Sequence, residues 1–343
     1  MQIVPVPERV PAFELDPAMP SGALPIFGEY LDRIGRSAGD RRLLTWLFLA
    51  FGVAQFFTGA GVALPVGTLA LAGSVEAWWF CRAYARVPET RLKREAFRQV
   101  DIAADGLVAA GRVVGVRLPD GRWLRVRLDE AYRLLLAGHR RVWLLGRGPK
   151  VFVGFSGVVR VRRARIHDGP PAGAVPVLAP AWSGSPRLDP VLTAHRRQIA
   201  RELRATAAFL LVLAGFALWV RFDVPAVGWV AWPFAAGALL SALAVVLRSF
   251  THGRPLPAEH WTELRAVLDG PVRMTRRGGA ARLSGLTMLA DGTVVGFRLP
   301  KADPSMAANI AATGRLWIAG VPKPGAAKTG VPGYPVLGTV WLG

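Results

Sequence analysis

Four long apolar runs constrain this chain more than any other feature. They occupy 43–59 ("LLTWLFLAFGVAQFFTG"), 63–80, 205–220 and 227–247, and they come as two close pairs with a long polar stretch between them. A membrane-spanning helix needs about 20 mostly apolar residues, with a lower limit near 17. The pairing predicts two membrane hairpins, four spans in all. Composition agrees. Hydrophobic residues make up 52% of the 343 and charged residues 19%, against roughly 25% charged in soluble domains.

Orientation follows from the arginines. The loop inside the first hairpin, "GAGVALPVG", has no charge, and the one inside the second, "RFDVPAVG", has one Arg and one Asp. The outer flanks carry Arg33, Arg36, Arg41 and Arg42, then Arg82, Arg86, Arg91, Lys93 and Arg94, then Arg196, Arg197, Arg201 and Arg204, then Arg248 and Arg254. The positive-inside rule therefore predicts a multi-pass inner (cytoplasmic) membrane protein with both termini and both long segments in the cytoplasm. Trp46, Trp78, Trp79, Trp229 and Trp232 lie near span ends, where interfacial anchors belong. The opening "MQIVPVPERVPAFELDP" has prolines and acids where a cleavable signal would have a basic and then an apolar run.

The polar regions contain an echo. "LPDGRWLRVRL" from Leu118 is matched by "LADGTVVGFRL" from Leu289, aligning Asp120 and Gly121 with Asp291 and Gly292. Asp-Gly between alternating apolar residues is a hairpin signal, because both residues tolerate the positive φ that tight hairpin turns require. Further on, "GHRRVWLLG" matches "GRLWIAG", setting Trp143 and Gly146 against Trp317 and Gly320. "VGFSG" then matches "PGYPVLG". The order is the same each time. "AYRLLLAG" and "PSMAANIAATG" occupy one place in the two copies and suit a short helix. "PETRLKREAFRQV" and "PAEHWTELRAVL" follow the two hairpins and suit connecting helices, with acid near a proline-marked start.

The expected fold class is thus an α+β integral membrane protein of two tandem repeats. Each repeat is a transmembrane helix hairpin followed by a small cytoplasmic antiparallel β module, an SH3-like or OB-like barrel by architecture. The expected segments are an N-terminal segment (1–42) with an interfacial amphipathic helix, hairpin 1 (43–85), a basic β module (86–167), a Pro/Gly/Ala linker (168–191), a basic helix with hairpin 2 (192–248), and a second β module (249–343). In the first segment Ile26, Phe27, Tyr30, Leu31 and Ile34 share a helical face. That face suits either the inner membrane surface or packing against a β module.

A formal net charge of +20 implies an anionic partner. The first module concentrates it. In "GRWLRVRL" Arg122, Arg125 and Arg127 stand among an alternating apolar set, and "VVRVRRARI" adds Arg160, Arg162, Arg163 and Arg165. These seven are the candidate lipid- or partner-binding residues. Anionic phospholipid is the first expected partner and an acidic protein face the second. Nucleic acid is disfavoured, since Trp123 is the only aromatic interleaved with this strand's arginines and no recognition helix appears. Within the spans, Glu76 and Gln55 are the notable polar residues. Glu76 suits an ion path or a pair with Arg82, and Gln55 an interhelical hydrogen bond.

No catalytic constellation assembles. His139, His167, His195, His252 and His260 have no metal-ligand spacing, Cys81 is the sole cysteine, and no metal or cofactor is expected. "VGFSGV" lacks the G-x-S-x-G spacing of a nucleophile elbow. "GRGPK" and "GAAKTG" lack the glycine pattern and helix of a phosphate loop. The expectation is a non-enzymatic scaffold, adaptor or accessory subunit that presents its β modules to a protein partner and to the membrane. A transporter or channel component using Glu76, a membrane immunity protein against a pore-forming toxin, and a homo-oligomer are the alternatives.

Overall fold

The computed structural model describes residues 10, 12–24, 26–32, 46–47, 49–50, 53, 93–181, 184–223, 228–275 and 279–343. Apart from residues 46–47, 49–50 and 53, the expected first hairpin, with Glu76 and Gln55, lies outside the described residues. The chain divides into two compact units, one from Met1–Arg33, Pro88–His195 and Pro255–Gly343, the other from Ile34–Val87 and Arg196–Arg254.

The first unit holds two antiparallel sheets. One runs β1 (Arg98–Asp101), β2 (Leu107–Ala110), β3 (Val113–Arg117), β4 (Trp123–Arg127), helix α1 (Glu130–His139), β5 (Arg141–Leu145), β6 (Lys150–Phe155), β7 (Val158–His167) and β8 (Val175–Pro176). Its spatial order is β1-β5-β6-β7-β4-β3-β2-β8. β1 and β2 are consecutive in the chain and joined through residues 102–106 but do not pair with each other, and β8 pairs on the free side of β2. Later in the chain come α2 (Pro190–Asp223) and α3 (Gly228–Gly253), which lead into the second sheet.

That sheet comprises β9 (Trp261–Leu268), β10 (Arg273–Met274), β11 (Ala281–Met288), β12 (Val294–Ala302), helix α4 (Pro304–Thr313), β13 (Arg315–Ala319), β14 (Gly325–Gly330) and β15 (Leu337–Leu342). Its order is β10-β11-β12-β15-β14-β13-β9, and β11 pairs back to β9, closing a barrel of six strands. The seam pairs Gly285 with Leu268 and Leu286 with Val267. Gly285 is required there, because a Cβ on it would lie 2.1 Å from the Val267 carbonyl oxygen.

The second stretch expected to be a connecting helix is corrected, and so is the end of the first, of which 88–92 lie outside the described residues and Lys93–Arg94 are helical. "WTELRAVL" is strand β9, paired with β13 on one side and β11 on the other, and 98–101 is strand β1. Trp261 and Leu264 are three residues apart, a spacing that mimics a helical face. The backbone instead follows the barrel, which would otherwise leave two sheet edges unpaired.

Alternation builds each core. Val114, Val116, Leu124 and Val126 fill the first module, and Phe297, Leu299, Leu316, Ile318 and Val340 the second, at about 1.5–3 kcal/mol for each large side chain. The two Asp-Gly turns share one hydrogen-bond scheme. The Leu118 N–H donates to the Arg122 carbonyl and the Gly121 N–H to the Leu118 carbonyl, as do Leu289 to Thr293 and Gly292 to Leu289. Gly121 and Gly292 have φ of 83° and 85°. Helices α1 and α4 are equally matched, each ten residues long and each ending in a left-handed residue, Arg140 or Gly314.

The two modules are joined inside this unit. Asn309 on α4 donates from Nδ2 to the Gly157 carbonyl at 2.8 Å and accepts from the Phe13 N–H at 2.8 Å. Ser305 accepts from the Val159 N–H, and Asp303 pairs with Arg160 at 3.2 Å. Phe13 also accepts from the Gly157 N–H at 2.7 Å, so the N-terminal segment ties both modules together. Ile26, Phe27, Tyr30 and Leu31 are buried, with Phe27 packed edge-on against Phe97 at 5.3 Å. Their apolar face thus packs within the fold, and Ile34 lies outside the described residues.

Candidate functional site

Two surfaces and one helix pair stand out. The first surface is the outer face of β4 and β7. Val126 and Ala164 point inward and are buried, so their neighbours point out. Register places Arg125 opposite Arg165, and Arg165 opposite Lys150. Arg127 and Arg163 follow one step along the same strands. Like charges directly opposite each other destabilise a sheet, yet here cations run across three strands. Arg125, Arg127, Arg163 and Arg165 rim an open depression of about 320 Å³.

Several of the module's other arginines are held. Arg112 pairs with Asp129, Arg117 with Asp105, and Arg141 with Glu14 and Asp101. Arg122 pairs with Asp120 in its own turn at 2.6 Å, which holds the Asp120 carboxyl below the usual carboxylate range. Arg125 donates to the Gly169 and Pro170 carbonyls.

Of the seven arginines singled out from sequence, the structure gathers Arg125, Arg127, Arg163 and Arg165. Arg160 is engaged with Asp303 of the second module. Arg162 points to the other side of β7, 3.7 Å from Asp129 and over the Tyr132 ring. Burial pushes the Tyr132 phenol up. Trp143 and Trp317 are both buried on matched strands β5 and β13. Gly146 and Gly320 end those strands with positive φ.

The second surface is the outer face of β11, β12 and β15. Met288 faces Val294, Leu286 lies between Val267 and Gly296, and Trp341 faces Arg298. Leu286 is 50% exposed and Trp341 56%. Five large apolar side chains on one sheet face are more than scattered surface hydrophobics. Sequence reasoning missed this face, although its alternation in "RLSGLTM" was the available signal.

In the second unit, Pro190–Trp219 and Ala235–Gly253 are long and apolar enough to cross a membrane. Their burial is inverted relative to a water-soluble helix. Ala200, Ala207 and Ala214 on α2, and Ala235, Ala242 and Ser249 on α3, are buried at seven-residue intervals. Phe209, Val212, Trp219, Leu240, Leu247 and Phe250 are exposed. Small residues at such a seam let helix backbones approach closely, and a Cβ on Gly253 would meet the Ala200 Cβ at 3.7 Å. Arg196 donates to the His252 and Thr251 carbonyls, closing the C-terminus of α3.

At the start of α2, Asp189 is buried, accepting from the Leu192 N–H and from Gly333 in the β14–β15 loop. Burial pushes its carboxyl up. Among the described residues no group of His, Cys, Asp or Glu is arranged to hold a metal. Ser156 is buried and takes a hydrogen bond from the Trp143 indole. No family model, curated protein or solved structure matches the chain.

Proposed function

We propose that this protein is a non-enzymatic adaptor or accessory subunit of the inner membrane, with four spans in two hairpins and two β modules in the cytoplasm. The observation that carries the reading is the inverted burial of α2 and α3, small residues inside and Phe, Leu and Trp outside, a pattern suited to lipid rather than water. α2 adds to it. Its 34 residues run about 51 Å at 1.5 Å per residue, longer than a hydrocarbon core of about 30 Å. The excess carries Arg196, Arg197, Arg201 and Arg204.

The chain reads as two copies of one unit. Matched Asp-Gly turns, helices of equal length and the same strand order round each sheet support duplication. The copies have diverged in what they present. The outer face of the first module carries Arg125, Arg127, Arg163 and Arg165, and that of the second carries Leu286, Met288, Val294 and Trp341, with Arg125 replaced by Gly296 at the aligned position. The second module's face suits a protein partner, which covers exposed apolar area better than water does.

The test is co-purification of the natively expressed, tagged full chain in mild detergent. A stoichiometric partner is expected with the wild type. It is lost in Leu286→Glu/Met288→Glu and retained in Arg163→Gln/Arg165→Gln. A partner-free chain, or a partner indifferent to Leu286 and Met288, overturns the adaptor assignment.

A further inference from the structure

The cations on the outer face of β4, β6 and β7 are arranged as a grid. Arg125, Arg165 and Lys150 lie in one cross-strand row, with Arg127 and Arg163 in the next. Strands stand about 4.8 Å apart, and alternate residues of one strand about 6.8 Å apart. The row spacing suits the oxygens of phosphate groups, each of which guanidinium can meet with paired donors. Among the described residues no ion pair engages Arg127, Arg163, Arg165 or Lys150. Six other arginines of this module pair with acids, and Arg133 and Arg140 donate to carbonyls. The grid sets its cations on adjacent strands with no acid paired to Arg127, Arg163, Arg165 or Lys150 among the described residues, a surface that gains from an external anion.

We infer that this grid binds the phosphates of anionic phospholipid headgroups. Lipid is favoured over a soluble anion because the module shares a chain with two helices fit to cross a membrane, which keeps headgroups at high effective concentration. The depression between the arginines is open rather than enclosed and is also lined by Val113, Val126, Ala164 and His167. It resembles a surface for a sheet of headgroups more than a pocket for one small molecule. Aromatic side chains at this face are Trp123, His167 and Phe152, the last directly opposite Arg163, so single-stranded nucleic acid, which stacks on such rings, is a separate arm of the test. The inference rests on the membrane reading above.

The experiment uses the full chain in a neutral detergent, titrated with dihexanoyl-phosphatidylglycerol, dihexanoyl-phosphatidylcholine, inorganic phosphate and a 20-nucleotide single-stranded DNA at 150 mM salt. Binding is read by microscale thermophoresis. The wild type should bind the phosphatidylglycerol and ignore the phosphatidylcholine. Arg127→Gln/Arg163→Gln/Arg165→Gln should lose about fivefold per arginine, on the order of 100-fold in all. The same variant should be at least as heat-stable as the wild type without lipid, because cross-strand repulsion is relieved; a lower melting temperature would mean the arginines are structural and would overturn the inference. So would equal binding of lipid by wild type and variant, inorganic phosphate binding as tightly as the phosphatidylglycerol, or DNA binding more tightly. Failure of the membrane reading registers separately. A chain released from membranes by alkaline carbonate would overturn that reading while leaving headgroup affinity measurable.

Discussion

Asn309 joins three parts of the first unit, and replacing it by Ala should loosen all three at once. In the native protein its side chain accepts from the Phe13 N–H and donates to the Gly157 and Ser305 carbonyls, all in buried surroundings. Ser305 belongs to the same helix, so the groups orphaned by the substitution are the Phe13 N–H and the Gly157 carbonyl. An unsatisfied buried backbone group costs about 1–3 kcal/mol, which gives ~2–6 kcal/mol for the pair. For a body of this size 1 kcal/mol corresponds to about 2–4 °C in melting temperature, so Asn309→Ala should lower it by at least ~4 °C. Thermal unfolding of the full chain in detergent, followed by tryptophan fluorescence, measures the shift. Hydrogen exchange at the peptide containing Phe13 locates it. A shift of less than about 1 °C with Phe13 protection intact refutes the reasoning, since water or a neighbour would then be satisfying both groups.

Gly157→Ala should be as damaging as Asn309→Ala, because φ is +68° and the new Cβ would fall 2.3 Å from the Tyr334 ring; the same melt checks it. Gly285→Ala should open the barrel seam against the Val267 carbonyl, seen as faster amide exchange across β9 and β11, whereas Gly121→Ala, with open space around it, should cost only about 1 kcal/mol. Asp189 has a raised carboxyl pKa in the fold, so the folded state holds its proton more tightly than the unfolded. Stability should therefore fall as pH rises from the ordinary carboxylate range through the raised value, and Asp189→Asn should flatten that slope in pH-dependent melts. Protease added outside intact spheroplasts should leave both β modules uncut, and cleavage near Pro176 would reverse the topology.

How far the sequence reached depended on how local each feature was. The Asp-Gly turns were legible because the chemistry that makes them lies within five residues: Asp291 accepts from the Thr293 N–H, which holds its carboxyl below the ordinary range, and the glycine supplies positive φ. The helices α1 and α4 were legible for a similar reason, with an aspartate before each and a left-handed residue after it. β9 was not, because Trp261 and Leu264 fit a helical spacing and only the two flanking strands decide the matter. Candidate arginines were found as a group, but alternation along one strand cannot tell Arg163 from Arg160. The partner of Arg160, Asp303, sits in the other module, and the row formed by Arg125, Arg165 and Lys150 exists only once three strands are in register. The apolar outer face of the second module was passed over because each strand shows only one or two of its members.

The N-terminal segment carries a consequence for how the protein is made. Phe13 finds its acceptor on Asn309, 296 residues further along the chain. At 5–20 residues per second, translation takes roughly 15–60 s to cover that distance. Once Gly157 has been made, about half-way through that interval, Phe13 and Gly157 still lack the helix that locks them. A ribosome that stalls before α4 therefore leaves an unlatched intermediate with its apolar N-terminal residues free to be grasped by chaperones or proteases. Docking of Phe13 onto Asn309 therefore awaits the second module's α4, with β13 to β15 still to follow it in the chain, so an early segment is latched only by a late one.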